Sequence, residues 1–548
     1  MYILGISTMS HDSAAVLLGE SGIVAAIEEG KLTRTRSIGG IPHAAIQFCL
    51  GRAGITWRDV ARVAIAKRPS ESAGELGPDA DNLRILRQMA GGSLDGVQAF
   101  DQHLCHAASA FYASAYDRAL ILSLDEGDGT RSGVVAVGEG DCVNEIDSLS
   151  AHQSLGWIYS QFTQLLGFRA HGDEHKTQWL SLVGQEEFAG AFIEMLRNDA
   201  GGPPHLNDKY FRHDLSGDLC FANEFYRAIG SAAPVEQTIT NFDDAKRANI
   251  AASLQKAIAA ILCEWLASLR SKTKQPSLCL AGGLFLNPLL VAEIEANAGF
   301  ANVFVQPASG NAGTALGAAW LVWRESVGRP QTEPANCPFW GPAYSNTQIK
   351  SVLDNCKATY RWLESDDLRL AETVKLLQAG KIVALFQREA EFGPRALGNR
   401  SLLASPWAPY IKENLNDFVK HREPFRPFAL AIPEEDCGDL FHASPNARFL
   451  TTMARANKKG RFLLQRLPDG FLLRDDFVRL QVVRESDNPF LWKLLRRSGE
   501  NAPAPMLINT SFNLFGEPLV VSPRDAVRSY FCSGTDALMM GNFLLVKH

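Results

Sequence analysis

The sequence opens with "YILGISTMSHDSAAVLL" (residues 2–18), an apolar run, a short polar turn and a second apolar run. This pattern predicts a strand, a tight turn and a returning strand. The same order returns in "ALILSLDEGDGTRSGVVAVG" (residues 119–138). Two copies indicate an internal duplication that forms one large domain with a cleft between two lobes. The alternative is coincidence, since strand–turn–strand units are common.

Two glycine-rich turns in the same region support a cleft that holds phosphate. "LCLAGGLFLNPLLVAEI" (278–294) and "NVFVQPASGNAGTALGAAWLVW" (302–323) each predict a strand, a glycine-rich loop and a helix. Glycines at such turns let backbone amides approach an anion at a helix N-terminus, although they also serve close packing. A stretch rich in Pro and Asn then predicts a boundary, with a first domain at 1–330, a linker at 331–345 and a second domain at 346–548.

The second predicted α/β unit carries its basic residues in three loops. These are "EFGPRALGNRSLLASP" (391–406), "FVKHREPFRPFALAI" (418–432) and "LINTSFNLFGEPLVVSP" (507–523). A solvated surface would interleave its cations with Asp and Glu, whereas here they stand beside Gly, Pro and Phe. Planar guanidinium groups suit phosphate, carboxyl and carbamoyl oxygens. We therefore predict an anion site rather than a structural salt-bridge cluster, built from Arg395, Arg400, Lys420, Arg422 and Arg426.

Composition excludes several classes of protein. The chain has 548 residues, too many for a single core, with 46% hydrophobic and 21% charged residues as in globular proteins. A formal net charge of -6 gives no reason to expect nucleic-acid binding. The ten cysteines show no paired spacing, no signal peptide is visible, and charges interrupt the most apolar helical stretch (250–269). We expect a cytoplasmic protein that binds neither nucleic acid nor membrane.

Seven segments carry a resemblance that covers almost the whole chain. "HDSAAVLL", "HAASAFY", "LAGGLFLN", "AGTALGAA", "EFGPRALGNRS", "VKHREPFRPFA" and "NTSFNLFGEPLV" occur in the order found in the O-carbamoyltransferase family of nodulation protein U and tobramycin carbamoyltransferase. The resemblance implies a duplicated N-terminal α/β domain of the actin/Hsp70-like ATPase type, similar to the tRNA threonylcarbamoyl-transfer proteins (Kae1-like). It also implies a C-terminal α/β domain that is YrdC-like, as in threonylcarbamoyl-adenylate synthases.

The resemblance further implies the reaction and its reactants. Carbamoyl phosphate and ATP would form carbamoyl adenylate at the C-terminal domain, and the carbamoyl group would pass to a hydroxyl or amine of a small-molecule acceptor. Fixed cations are needed to hold two phosphate-bearing reactants together. The residues implied for binding carbamoyl phosphate or the adenylate are Arg395, Lys420, Arg422, Arg426, Asn509, Ser511 and Phe512.

In the N-terminal domain the resemblance implies a catalytic base and a phosphate-binding set. His11 would deprotonate the acceptor hydroxyl, a task that suits an imidazole. From the residues alone, a turn histidine bonded to backbone is the better explanation of His11, and the resemblance reverses that preference. The set predicted for nucleotide or phosphate binding comprises Lys31, Arg34, Gly282, Gly283, Asn287, Gly310, Asn311, Gly313 and Thr314.

The N-terminal domain departs from the family at its metal site. The family's iron is implied to take a His-x-x-x-His pair and two aspartates, of which this chain retains His106 and Asp125. Gln102 and Asn311 replace the other two ligands, and neutral amides are poor iron ligands. We expect a weak or absent metal, with Mg²⁺ or Mn²⁺ beside nucleotide phosphates, or a polar network, as alternatives.

Two further departures accompany it. "QWLSLVG" (178–184) replaces the family's "MGLAPYG", and Glu389, with Arg388 beside it, replaces the arginine that the family has two residues before the EFGPR motif. The leading hypothesis is that the chain is a carbamoyltransferase. The open alternatives are a related adenylate-forming or ATP-splitting enzyme with a remodelled N-terminal site, and a nucleotide-binding partner protein with reduced catalysis.

Overall fold

The computed structural model describes residues 1–9, 11–36, 38–67, 80–92, 96–127, 130–197, 199–212, 221–232, 242–328, 338–468 and 470–547. Residues 331–337 of the predicted linker lie outside them.

The N-terminal domain contains two five-stranded sheets. The first has the order β3-β2-β1-β4-β5 and the second β10-β9-β6-β7-β8. Their strands are β1 (Tyr2–Ser7), β2 (Ala14–Gly19), β3 (Gly22–Glu28), β4 (Val60–Lys67), β5 (Val97–Asp101), β6 (Arg118–Leu124), β7 (Arg131–Glu139), β8 (Cys142–Ser150), β9 (Ser277–Ala281) and β10 (Asn302–Val305).

The two sheets have the same topology, which confirms the predicted duplication. In each, the first strand pairs antiparallel with the second and parallel with the fourth, and the second pairs antiparallel with the third. The fourth and fifth strands pair in parallel. The polar turns after β1 and β6 therefore occupy equivalent positions in the two lobes.

The helices of this domain are α1 (Glu29–Thr33), α2 (His43–Ala53), α3 (Ala80–Met89), α4 (Gln102–Ala113), α5 (Leu155–Leu165), α6 (Glu174–Leu180), α7 (Ala189–Met195), α8 (Asn223–Ala228), α9 (Asp244–Thr273), α10 (Pro288–Asn297) and α11 (Ala312–Val327). Helices α4 and α11 follow the fifth strand of each lobe and pack together closely. At Gly317 a Cβ would meet the carbonyl oxygen of Cys105 at 1.8 Å, so this helix crossing requires glycine.

Helix α9 is long and apolar enough to cross a membrane. However, 72% of its most apolar window is buried inside the structure. Its residues belong to the largest core cluster of the N-terminal domain, together with Phe162, Phe192 and Phe225. That burial is typical of a core helix.

The C-terminal domain is built on a mixed eight-stranded sheet of order β11-β21-β20-β12-β13-β19-β14-β18, with a small sheet β15-β16-β17 beside it. The strands are β11 (Arg361–Trp362), β12 (Val383–Phe386), β13 (Arg400–Ala404), β14 (Ala429–Pro433), β15 (Phe441–His442), β16 (Ala454–Ala456), β17 (Phe477–Val478), β18 (Leu480–Val483), β19 (Leu507–Ser511), β20 (Ala537–Met540) and β21 (Phe543–Val546).

The helices around this sheet are α12 (Asn346–Asn355), α13 (Asp366–Gln378), α14 (Ile411–Leu415), α15 (Glu434–Leu440), α16 (Lys458–Leu464), α17 (Pro489–Gly499) and α18 (Pro523–Phe531). A π-helical turn, Asn416–Lys420, continues α14. Such turns occur frequently at functional sites. The fold is mixed α/β, and the similarity of this domain to threonylcarbamoyl-adenylate synthases stays a prediction.

The two domains are in contact. The segment predicted as a linker packs against both, since the carbonyl of Trp340 accepts a hydrogen bond from the amide of Ala26, and Gly341 bonds to Ala390. Farther away, the carboxylate of Glu295 on α10 accepts hydrogen bonds from Ser444, Asn446 and Thr452 of the C-terminal domain. These contacts fix the basic loops relative to the N-terminal cleft.

Candidate active site

Lys420 occupies the end of the π-helical turn and reaches the loop that follows β19. Its ammonium donates to the carbonyl of Ser511 at 2.5 Å, to the Ser511 hydroxyl at 3.1 Å and to Oδ1 of Asn513 at 2.7 Å. Lys420 is buried, and this burial, with the charges of Arg422 and Arg426, lowers its pKa well below the ordinary range. Two of the three predicted basic loops therefore meet at this lysine.

Four arginines surround this point. Burial, followed by the charge of Arg426, lowers the pKa of Arg395 to about 10 and that of Arg422 to about 9. Burial also lowers the pKa of Arg426 and of Arg479. Repulsion from other arginines of the group contributes to the lowered pKa of Arg395, Arg422 and Arg479, whereas Glu423 opposes the effect of burial on the pKa of Arg426. We call Arg395, Lys420, Arg422, Arg426 and Arg479 the cation cluster.

The cation cluster is only partly neutralised. Glu423 lies 3.5 Å from NH1 of Arg426, but it also pairs with Lys176 at 2.9 Å. Arg422 is supported by the face of Phe428, whose ring centre lies 4.0 Å from the guanidinium carbon. Because like charges held together in a buried setting repel, an anion is the natural ligand of this arrangement.

Asn509 and Phe512 lie beneath the cluster. Phe512 is buried in the core, and its amide bonds to the carbonyl of Arg400. The amide of Asn509 donates to Gln481 at 2.6 Å and to the carbonyl of Ala396 at 3.2 Å. Both residues brace the loops, and their predicted contact with an adenylate stays a prediction.

Arg400 is also buried, but its contacts are structural. Its guanidinium donates to the carbonyls of Gln387, Arg388 and Pro342 and stacks on Phe386. Arg400 was predicted as part of the anion site because of its loop, but its guanidinium instead anchors that loop to the fold.

The structure adds residues that the motifs did not indicate. Three residues join the C-terminal site in this way: Arg479, which directly precedes β18, Asn513 in the loop after β19, and His175 on α6. Burial, then the charges of Arg426 and Arg395, lowers the pKa of His175 to about 3, so its imidazole is neutral at physiological pH. The polar run "HGDEHK" (171–176) could have indicated His175, whereas Arg479 lies in no comparable sequence pattern.

His11 lies in the turn after β1, at the N-terminal cleft. Its Nδ1 is 3.2 Å from Oδ2 of Asp12, and its side chain is 37% exposed. The hydrogen bond with Asp12 raises the pKa of His11 above its ordinary value, with further contributions from Asp125 and Glu126 and against the effect of burial. A base of raised pKa is better able to take a proton from a hydroxyl.

Asn311 contacts His11 directly. Its amide nitrogen lies 3.1 Å and 3.3 Å from the two ring nitrogens and 3.3 Å from the carbonyl oxygen of His11. The hydroxyl of Thr314 donates to the carbonyl of Asn311 at 2.6 Å, which holds this glycine-rich turn. Residues 300 positions apart in sequence thus form one wall of the cleft.

The other glycine-rich turn lies behind Asp125. At Gly283 a Cβ would meet Oδ1 of Asp125 at 2.8 Å, and at Gly282, whose φ is +98°, it would meet the carbonyl of Leu124 at 2.0 Å. Asn287 caps α10 and bonds to Gln255. These residues shape the cleft floor, and Gly310 and Gly313 lie in the facing turn.

His106 and Asp125 meet as the sequence predicts, with Nε2 and Oδ2 3.2 Å apart. Burial would raise the pKa of Asp125, but the hydrogen bond and charge of His106 outweigh it and lower that pKa below the usual range. His106 is completely buried.

These residues do not fit the iron centre that the resemblance implies. The amide nitrogen of Gln102 lies 3.3 Å from Nε2 of His103, and that of Asn311 is directed at His11. Among the residues that the structure describes, no group of three or more His, Cys, Asp or Glu side chains could hold a metal. A polar network agrees best with these contacts.

Lys31 and Arg34 lie at the domain interface. Lys31 contacts the carbonyls of Glu391 and Gly393 and the carboxylate of Glu28, so its three N–H donors are all engaged. Arg34 donates to the carbonyl of Leu519 and the carboxylate of Glu517. The contacts place both residues between the domains rather than at a phosphate.

Arg36 connects the two parts of the site. Its guanidinium donates to the carbonyl of Glu517 at 3.0 Å, across the interface. Its charge helps to lower the pKa of Lys420, and Asp12, beside His11, is one of the carboxylates that act on it. The cation cluster and His11 therefore belong to one interdomain region.

Comparison with known proteins identifies this combination of domains. The family model described as "Carbamoyltransferase N-terminus" matches residues 2–79 and 82–320, and "Carbamoyltransferase C-terminus" matches 374–547. The chain belongs to the carbamoyltransferase family and is a transferase enzyme.

Three individual relatives are consistent with this family assignment. The chain is 30% identical to nodulation protein NolNO of Sinorhizobium fredii, over 99% of this chain and 80% of that protein. It is 33% identical to nodulation protein NolO of Bradyrhizobium diazoefficiens, over 82% and 79%. It is 30% identical to the 3'-hydroxymethylcephem-O-carbamoyltransferase of Streptomyces clavuligerus, over 60% and 63%. A solved structure of full-length HypF in phosphate- and nucleotide-bound form overlaps 60% of this chain and 47% of that chain, with TM-score 0.32 and 14% identity.

Proposed function

We propose that this enzyme uses carbamoyl phosphate and ATP, by way of carbamoyl adenylate, to carbamoylate a hydroxyl group of a small-molecule acceptor. The observation that carries the proposal is the cation cluster, whose buried charges repel one another and lie in one interdomain region with His11. The name of the cephem O-carbamoyltransferase supports a hydroxyl acceptor.

Activation would take place at the cation cluster. Lys420, Arg422 and Arg426 would hold the phosphate groups of carbamoyl phosphate and ATP against their mutual repulsion. Phosphate leaves the carbamoyl group, pyrophosphate leaves ATP, and one water is consumed as the carbamoyl group joins AMP. The neutral imidazole of His175 lies among these cations without adding to their charge.

Transfer would take place at His11. Its imidazole accepts the proton of the acceptor hydroxyl, the oxygen attacks the carbamoyl carbon, and the carbon–oxygen bond to AMP breaks. Asp12 stabilises the imidazolium that forms, since its carboxylate is hydrogen-bonded to the ring. Asn311 would fix the ring's orientation through its amide contacts.

The test is incubation of the purified protein with carbamoyl phosphate and ATP, followed by mass spectrometry. We expect carbamoyl adenylate in the absence of acceptor, and its consumption when a suitable hydroxylated small molecule is added. Formation of ADP without carbamoyl adenylate would contradict the proposal and favour a different ATP-splitting reaction.

A further inference from the structure

The loop that carries Arg395 runs from Glu391, which forms an isolated bridge with Phe339, to Arg400, the first residue of β13. Its second half is held from within. One carboxylate oxygen of Glu391 accepts hydrogen bonds from the amides of Leu397 at 2.8 Å, Asn399 at 3.0 Å and Arg400 at 3.2 Å. A buried carboxylate that accepts three backbone N–H groups fixes that half of the loop.

The first half is held by the other domain. Oε1 of Glu28 accepts a hydrogen bond from the amide of Gly393 at 2.8 Å. The ammonium of Lys31 donates to the carbonyls of Glu391 and Gly393, both at 2.7 Å, and lies 2.9 Å from Oε2 of Glu28. Both side chains are almost fully buried. We call Glu28 and Lys31 the interdomain pair.

The backbone at the point of contact has little freedom. Gly393 has a φ of +101°, and a Cβ there would meet the carbonyl oxygen of Pro307 at 3.2 Å. Two residues farther on, NH2 of Arg395 donates to the carbonyl of Leu286 at 2.8 Å. The N-terminal domain thus contacts this loop at its backbone and at the arginine itself.

The interdomain pair also adjoins the turn that carries His11. Glu28 is the cross-strand partner of Ala14 at the start of β2, and the amide of Glu29 donates to the carbonyl of Ser13 at 2.9 Å. One rigid connection therefore runs from the His11 turn through Glu28 to the loop of Arg395.

Stability alone does not account for this arrangement. A buried ion pair is often no more stabilising than apolar side chains of the same volume. Here, in addition, each charged group bonds to the backbone of one short loop rather than to scattered partners. A pair with these contacts determines where that loop, and hence Arg395, lies.

We propose that Glu28 and Lys31 are positioning residues for Arg395, so that the N-terminal domain completes the activation site of the C-terminal domain. The proposal rests on the proposed function for its role in activation. It assigns Lys31 a task in shaping the anion site without contact with the anion.

The experiment is a double-mutant cycle on the full chain. Lys31→Met, Arg395→Met and the double variant are compared for kcat/KM of carbamoyl-adenylate formation and for binding of inorganic phosphate by titration calorimetry. Misplacement of a binding group can cost on the order of 100-fold in rate. We expect Lys31→Met to lower kcat/KM by roughly 10- to 100-fold, chiefly through a raised KM for carbamoyl phosphate.

The coupling between the two positions decides the proposal. If Lys31 acts through Arg395, Lys31→Met removes little further activity from Arg395→Met, whereas two independent roles give multiplied losses and overturn it. The matched control is Arg474→Met, since Arg474 also donates to a carbonyl across the interface, that of Gly184 at 2.6 Å. Its ion pairs among the described residues are with Glu186 and Asp475, outside the loop of Arg395. An equal loss in the control would show a general interface effect and also overturn the proposal.

The phosphate titrations and a second variant separate failure of the positioning role from failure of the proposed function and from failure of Lys31→Met to fold. If the wild-type protein forms no carbamoyl adenylate, the proposed function fails, and the phosphate titrations then decide the positioning role by the same coupling criterion. If Lys31→Met does not fold, Gly393→Ala perturbs the same backbone from the loop side and is expected to weaken phosphate binding without additivity with Arg395→Met. Unchanged phosphate affinity in the folded variants would contradict the inference.

Discussion

Replacing Arg426 should have opposite effects on activity and on the stability of the ligand-free protein. The guanidinium has one ion-pair partner among its described contacts, Glu423 at 3.5 Å, and its Nε has no hydrogen-bond partner. It is therefore available for an anion. A hydrogen bond to a charged group contributes about 1.5–3 kcal/mol, so Arg426→Met should lower kcat/KM for carbamoyl-adenylate formation by roughly 10- to 150-fold.

The stability effect follows from the same charge. Repulsion by Arg426 helps to lower the pKa of Arg395, Lys420, Arg422 and Arg479. A close like-charge pair costs on the order of 1 kcal/mol in aqueous surroundings, whereas the ion pair lost with Glu423 contributes about 1 kcal/mol at most. Without ligand, the variant should be more stable by on the order of 1 kcal/mol, which for a chain of 548 residues corresponds to a rise in Tm of roughly 1 °C.

The assay combines carbamoyl-adenylate kinetics with thermal unfolding in the presence and absence of phosphate. Phosphate should raise the Tm of the wild type more than that of Arg426→Met, because the ligand stabilises the form it binds. The control is Arg484→Met, which removes an exposed ion pair with Glu434 and should change neither quantity appreciably. Near-wild-type kinetics, or a lower Tm without phosphate, would refute the reasoning that assigns Arg426 to an anion site.

Four further predictions concern the rest of the site. Because the pKa of His11 is raised above 6.5, chiefly by the hydrogen bond with Asp12, the rate of carbamoyl transfer should rise with pH through that raised pKa, and Asp12→Asn should move the rise to lower pH. His11→Ala should lower transfer by about 10²- to 10⁴-fold but leave carbamoyl-adenylate formation intact; loss of both steps would assign His11 another role. Burial and the charges of Arg422 and Arg426 lower the pKa of Lys420, so phosphate binding should take up protons and should weaken as pH rises. Calorimetry in buffers of different ionisation enthalpy measures this proton uptake. The same uptake in Lys420→Met would exclude Lys420 as its source. Protein purified without added metal should contain no stoichiometric iron, and stoichiometric iron that is lost in His106→Ala would contradict the polar-network interpretation.

The duplicated domain could be predicted because both copies retain the same local pattern. Strand, polar turn and returning strand follow from apolar runs and turn residues within some twenty positions, and the matching sheet orders confirm the interpretation. The approach of His106 to Asp125 was predicted from the resemblance, which implies one site for both; in the fold His106 lies on α4 and Asp125 follows β6. Local sequence also predicted the basic loops, since cations set among Pro and Phe differ from a solvated surface.

The remaining features depend on contacts between distant segments. Lys31 meets Glu391 across 360 positions, and no local pattern distinguishes a lysine that binds phosphate from one that holds a loop. Arg400 lies in a basic loop but its guanidinium is directed into the fold, which only its neighbours determine. Arg479 belongs to the cation cluster, and His175 lies beside it, because α6 and the segment before β18 pack against the interface.

The proposed reaction requires this chain to activate a carbamoyl group as an adenylate before transferring it. The most direct measurement is ¹³C and ³¹P NMR of the enzyme mixed with ¹³C-labelled carbamoyl phosphate, ATP and Mg²⁺ in the absence of acceptor. We expect the labelled carbon to become attached to AMP, with release of one pyrophosphate and one phosphate, and we expect Arg426→Met to form this species far more slowly. Release of ADP, or persistence of the labelled carbon in carbamoyl phosphate while folded wild-type enzyme is present, would contradict activation as an adenylate.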